Sequence, residues 1–514
     1  MRNVRNPEQP VRVTFLPPRP PRLRRLWILP VLTWAGGMGW AGQDGDTNPA
    51  QTVLRYDNLE NLIATPRDEV PSTLLPPDAA SLRYQIPRQA PGTTRPKALE
   101  ERLEAQREGE DAFTWFPRFH PKLGPYIASP DAVGNTALRP GALITSTTDA
   151  EWIQAFKYRV SDYGLNYSLV QTVTWLAMDG AQSGDPSMGF YTFDWFSKWT
   201  VYSTAHGDEA GWLSSQVKVL EGFGSTRSRT VPGAIGSLVN PASLWTGRNG
   251  VEVAEMAWQQ SLAGGRVVAV AGVINQSNYL DLNTYANTAR GQFLNSAFVN
   301  SMVVPLPAYS PSVNLQWQPR SSWYVMNGTS IGGIGAGRLP WVGWDDRSWS
   351  SVTEIGYVAK DVLGLGNGVY RVQPFLAQAG GDVGAGVGLN LQQRLGANTP
   401  LGWFGRFGFG GVSGASSAAN QIATGMIIQA PLKHLGLITE QPNDGMGLAV
   451  CWSDPFQTRG SGPVQDETAI ELGYCFHLTP LVRIQPDVQF VIDPAYNAQR
   501  ETAVVFQLQL DINW

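Results

Sequence analysis

The C-terminal stretch "VVFQLQLDINW" alternates with a period of two: Phe506, Leu508, Leu510, Ile512 and Trp514 take every second position, and Gln507, Gln509, Asp511 and Asn513 fill the gaps. Alternate side chains of a strand point to opposite faces, so this is a strand between an apolar and an aqueous medium. The same pattern recurs upstream. Val482, Ile484, Val488, Phe490 and Ile492 oppose Arg483, Gln485, Asp487 and Gln489; Ile470, Leu472, Tyr474 and Phe476 oppose Glu471, Gly473 and Cys475; Val387, Leu389 and Leu391 oppose Asn390, Gln392 and Arg394.

Continued along the chain, the pattern predicts sixteen strands at 165–178, 189–203, 212–221, 250–261, 265–275, 311–319, 322–328, 350–360, 368–378, 383–395, 400–411, 420–430, 445–454, 465–476, 481–492 and 502–514. Segments of about ten residues with one apolar face and aromatics near their ends suit a barrel in lipid. Strands of a soluble sandwich usually run about 5–6 residues, and their wet face carries more Lys and Glu than these Gln-, Asn- and Gly-rich faces. The expected fold is therefore all-β, a transmembrane antiparallel β-barrel of about sixteen strands.

Before the strands the pattern changes. Thr148 and Glu151 form a capping box, Trp152, Ala155, Phe156 and Val160 share one face, and Gly164 follows, which predicts a helix over 149–161 at the head of a barrel unit 143–514. Residues 42–142 are interrupted by Pro66, Pro71, Pro76, Pro77, Pro87, Pro91 and Pro96 and read as an extended periplasmic linker with a short helix near 97–108. Arg19, Arg22, Arg24 and Arg25 precede "LWILPVLTWAGGMGWAG", with Gly39 and Ala41 as small residues at a cleavage site, so 1–41 reads as an export signal.

Composition sharpens this picture. After the signal no stretch approaches the roughly 20 apolar residues of a spanning helix, which leaves an exported chain either soluble or crossing lipid as a closed barrel. Only 16% of residues are charged while Gly reaches 55 and Trp 19, a balance suited to tight bends and interfacial rings. A net charge of −4 offers no basic surplus for a nucleic-acid backbone. Cys451 and Cys475 are expected as free thiols, with Cys451 roughly opposite Glu467 in a hairpin around Arg459.

An even strand count puts both barrel termini on one side, expected to be the periplasm. The longest opposite connections are then about 222–249 and 276–310. Both are expected to fold inward, with "TARGQFLNSAF" contributing a short helix and Asn287, Arg290, Gln292 and Phe293 narrowing the lumen. Inward positions on the strands offer Arg371, Arg406, Arg483, Glu354, Glu471 and Asp487 with Gln373, Asn390, Gln392 and Gln485. Such a mixed lining suits neutral solutes rich in hydroxyl groups, whereas a phosphate pore would carry a basic ladder. Each arginine could equally brace the wall. The Gly-x-Ser-x-Gly match at Ser330 lacks the strand–turn–helix setting of a nucleophile, since a Gly-rich run follows it. Gly333, Gly335 and Gly337 lack the full dinucleotide fingerprint. No catalytic site, metal site or cofactor is expected.

The blocks "QPNDGMGLAVCWSDPF", "ETAIELGYCFHLTPLVRIQPDVQFVIDP" and "YLDLNTYANTARGQFLNSAF" closely resemble the OprB-type carbohydrate-selective porins of bacterial outer membranes, over roughly residues 148–514. The resemblance implies a sixteen-stranded outer-membrane barrel that passes sugars by diffusion, with lipid around it and other copies of the chain as a possible partner. The terminal Phe506, Leu508, Leu510, Ile512 and Trp514 also resemble the signal that outer-membrane proteins present to the barrel assembly machinery. A general or other-solute porin, and a structural or binding barrel, remain as alternatives.

Overall fold

The computed structural model describes residues 165–513 except 183, 204–209, 264–265, 321, 333–347, 360–361, 397–398, 438–443, 458–463 and 480. The signal, the Pro-rich segment, the helix at 149–161 and Trp514 lie outside the described residues.

Sixteen antiparallel strands follow in chain order: β1 (Leu165–Asp179), β2 (Ser187–Ser203), β3 (Ala210–Gly222), β4 (Gly250–Leu262), β5 (Val267–Ile274), β6 (Ser310–Arg320), β7 (Trp323–Ile331), β8 (Trp349–Ala359), β9 (Gly368–Ala379), β10 (Asp382–Arg394), β11 (Leu401–Phe409), β12 (Asn420–Gln429), β13 (Gly445–Asp454), β14 (Glu467–His477), β15 (Val482–Ile492) and β16 (Thr502–Asn513). Each pairs with its sequence neighbours, and β16 returns to β1 through a register running from Val170↔Asn513 to Asp179↔Val504. Closure leaves no open edge, which a sheet in hydrocarbon requires because lipid offers its backbone no hydrogen bonds. No helix among the described residues is long and apolar enough to cross a membrane.

The period-two pattern maps onto this wall directly. On β16, Phe506 and Leu508 are exposed on the outside, while Gln507, Gln509, Asp511 and Asn513 are buried on the lumen side. Outward rings recur around the barrel, among them Trp175, Trp195, Trp199, Trp258, Trp317, Trp323 and Phe490. Tight turns close some hairpins; Gly380 and Gly381, at φ of 59° and 96°, supply the two left-handed residues that the β9–β10 turn demands.

One register differs from the sequence expectation. Ser453 pairs with Glu467, so Cys451 faces Ala469 rather than Glu467, because the hairpin centre lies one residue further along than Arg459. Cys475 pairs with Gly445, far down the ladder, and both thiols are free and buried.

The barrel ends are unequal. The start of β1 and the end of β16 share one end, here the terminal rim. The connections of 223–249 and 275–309 leave from the opposite end, the loop rim. Neither stands clear of the barrel; both turn into its interior.

Candidate functional site

The segment 275–309, which joins β5 to β6, forms a strap inside the barrel. Every residue from 278 to 290 is buried. Irregular backbone at this depth needs partners within the protein. The inward polar residues of the wall supply them.

Arg406 on β11 is fully buried and grips two parts of the strap. Its Nε donates to the Asp281 carboxylate (3.0 Å), its Nη2 to the carbonyls of Asp281 (3.0 Å) and Ala286 (2.6 Å), and its Nη1 to the carbonyl of Phe298 (2.5 Å). Asn390 on β10 donates to Asp281 Oδ1 (2.6 Å) and accepts from Asn283 Nδ2 (2.8 Å). Next to it, Gln392 accepts from the Thr284 amide (3.0 Å) and donates to that threonine's hydroxyl (2.8 Å). Glu354 on β8 accepts from the Asp281 amide (2.9 Å), the Tyr324 hydroxyl (2.6 Å) and Gln373 Nε2 (2.7 Å), and Arg371 donates to the Tyr324 oxygen (2.9 Å).

The other half of the strap is held from the far wall. Glu471 accepts from the amides of Leu294 (2.5 Å) and Asn295 (3.0 Å). Gln485 accepts from the Gly291 amide (2.9 Å) and donates to the Gln292 carbonyl (2.7 Å). Arg483 donates to the Arg290 carbonyl (3.2 Å) and approaches Asp511 (3.4 Å). Arg290 reaches back from the strap to Asp194 on β2 (2.5 Å), Thr192 (3.0 Å) and Thr172 (2.8 Å). Asp487 accepts from Gln489 Nε2 (2.8 Å) and touches no part of the strap through a hydrogen bond among the described residues.

Apolar contacts add a second set of anchors. Phe293 packs against Phe298 and Phe404 at centroid distances of 5.4 and 5.5 Å. Wall glycines leave the room: a β-carbon at Gly447 would meet Phe293 at 2.8 Å, one at Gly408 would meet Val303 at 2.5 Å, and one at Gly328 would meet Leu280 at 2.8 Å. The helix expected in "TARGQFLNSAF" is a single turn, α2 (Ser296–Val299), capped by Asn295 Oδ1 on the Ala297 amide (2.9 Å). At the foot of the strap, Tyr279 donates to Glu255 (2.8 Å); burial first, and that carboxylate second, push its hydroxyl well above the ordinary range, so it stays a donor.

The segment 223–249 caps the loop-rim half of the lumen. It carries the short helix α1 (Val231–Ile235), and its Trp245 stacks on Phe190 at 5.4 Å. Glu467 ties this segment to the β15–β16 connection by accepting from the amides of Leu238 (2.8 Å), Val239 (2.9 Å) and Ala495 (2.8 Å).

All ten lumen positions named from the sequence thus face inward and are buried. Most of them hold the strap. Asp194, Glu255 and Asp281, absent from that set, are equally central; the alternation in "FDWFSKW" puts Asp194 inward, whereas Asp281 sits in an aperiodic stretch that offers no such signal. Ser330 lies within β7 and hydrogen-bonds to Ser312 (2.8 Å) and Gln276 (2.9 Å). Among the described residues no group of three His, Cys, Asp or Glu is placed to hold a metal.

Comparison with known proteins agrees with this architecture. Residues 363–514 match the family described as carbohydrate-selective porin, OprB family. Among solved structures, OprB of Pseudomonas putida at high pH is similar at 14% identity, covering 74% of this chain and all of that one, with a TM-score of 0.58. The low-pH structure of the same protein gives 13% identity, 73% and 100% coverage and a TM-score of 0.44. A triple mutant of Rhodopseudomonas blastica porin gives 8% identity, 68% and 100% coverage and 0.42. The first of these shows a shared fold. No curated protein matches the chain. The chain accordingly shares the closed-barrel fold of Pseudomonas putida OprB, and its C-terminal part carries the family's sequence pattern.

Proposed function

We propose, on the premise that an OprB-family sequence over residues 363–514 closes a porin-type barrel, that the protein is a diffusion channel for neutral carbohydrates. The terminal rim faces the periplasm and the two inward segments set the cross-section. The observation that carries this reading is the character of the lumen. Among the described residues, arginines, carboxylates and amides alternate around it, with no ladder of one sign. A neutral sugar must exchange water for hydrogen bonds of both kinds at a narrow point, and this lining supplies donors and acceptors together. Phosphate or another anion gains nothing from a lumen whose wall and strap arginines already face Asp194, Asp281, Glu354 and Asp511.

Swelling of proteoliposomes in isosmotic sugar tests the proposal. Monosaccharides are expected to enter faster than anions of similar size. Equal rates for both would favour a general porin. The continuous burial of 278–290 favours a second reading, a barrel sealed by its strap that serves binding or structure. That reading requires no swelling in any sugar and no ion conductance.

A further inference from the structure

Three inward residues on neighbouring strands lie on one rung of the wall: Asp194 pairs with Lys218 across β2–β3, and Lys218 pairs with Glu252 across β3–β4. Asp194 is occupied, since it accepts from Arg290 (2.5 Å) and Gln216 (2.8 Å). Lys218 and one carboxylate oxygen of Glu252 are not. Among the described residues Lys218 makes no hydrogen bond or ion pair, and it is only partly buried. Glu252 is 8% exposed, yet its Oε2 has no hydrogen-bond partner. An unpartnered buried carboxylate oxygen is costly to keep, so it marks a place where a ligand or water completes the site.

The position is defined by what surrounds it. One step toward the terminal rim, Gln216 and Glu255 are taken up by Asn278 and Tyr279 of the strap. The Lys218–Glu252 rung therefore lies just on the loop-rim side of the strap. Tyr309, at the strap's end, hydrogen-bonds to Glu252 and is close enough to interact electrostatically with Lys218. It holds φ at 59°, a left-handed conformation disfavoured for a ring-bearing residue, in bringing its phenol here.

An ammonium offers only donors and a carboxylate only acceptors. Side by side, the ammonium and the open Oε2 of Glu252 complement a pair of adjacent hydroxyls: one oxygen accepts from Lys218 while a neighbouring O–H donates to Glu252 Oε2. An anion would meet Glu252 and Asp194, and a cation would meet Lys218. We infer that Lys218 and Glu252, flanked by Tyr309, form a hydroxyl-binding subsite that takes a vicinal diol of a neutral sugar. This rests on the channel reading above and adds to it a first contact on the loop-rim side of the strap.

The test uses the purified full-length chain in planar bilayers, with potassium chloride as the current carrier and glucose as the blocker. Lys218→Met and Glu252→Gln are each expected to raise the half-blocking glucose concentration about tenfold, the usual scale for a lost charged hydrogen bond. Lys218→Arg, which keeps a donor, is expected to stay within about twofold of the parent. If Lys218→Met fails to assemble, Glu252→Gln decides alone, because the amide keeps the size of the side chain. A parent blocked by glucose and variants blocked at the same concentration would overturn the subsite and leave the channel reading intact. A parent that conducts without glucose block, and whose liposomes do not swell in sugar, would overturn both.

Discussion

At the scale of single residues, Arg406 shows how a lumen charge can be committed to architecture. Its guanidinium neutralises Asp281 and satisfies carbonyls of Asp281, Ala286 and Phe298, groups that no helix or ladder serves. Arg406→Met would leave the Asp281 carboxylate buried without its counter-charge, a change that typically costs about 3–5 kcal/mol. Urea unfolding in detergent micelles is expected to show a loss on that scale. A loss below about 0.5 kcal/mol, the range of an ordinary surface change, would mean that Arg406 is not an anchor. That Arg406 faces inward was legible in the alternation of its strand. Its partner was not, because Asp281 lies 125 positions away in sequence, in a stretch without periodicity.

At the scale of elements, the strands and the strap obey different rules. Strand positions follow from a period of two that burial on one face enforces, and the sequence boundaries agree with the observed ones to within three residues. The strap has no such period. Its path follows from long-range pairings with ten or more strands, so only its inward direction, inferred from length, could be anticipated. The wall glycines are part of this element's design. Gly447→Val should improve the intrinsic strand preference of β13 while colliding with Phe293, which would sit 2.8 Å from the new β-carbon. The expected outcome is a folded barrel with a displaced strap, read as an enlarged ion conductance together with unchanged far-ultraviolet circular dichroism. A conductance equal to the parent's would show that Phe293 is not seated against Gly447.

At the scale of the whole molecule, the barrel and its medium must match. Leu508 and Leu435 are both exposed, at 47% and 70%, but Leu508 lies mid-strand and Leu435 in the β12–β13 connection at the terminal rim. In lipid, Leu508→Arg should cost about 2–4 kcal/mol, while Leu435→Arg should stay near neutral. A water-facing sheet would tolerate both, since exposed substitutions away from special features usually fall within about 0.5 kcal/mol. Equal, small effects in folding titrations with lipid vesicles would therefore contradict the membrane assignment. The central claim joins this barrel to its strap: the strap narrows a lumen that otherwise conducts. Single-channel conductance of the parent against a variant lacking residues 287–297 tests it most directly. The account expects resolvable openings in the parent and a several-fold larger step in the variant. Openings of identical size in the two, or an absence of openings in both, would contradict it.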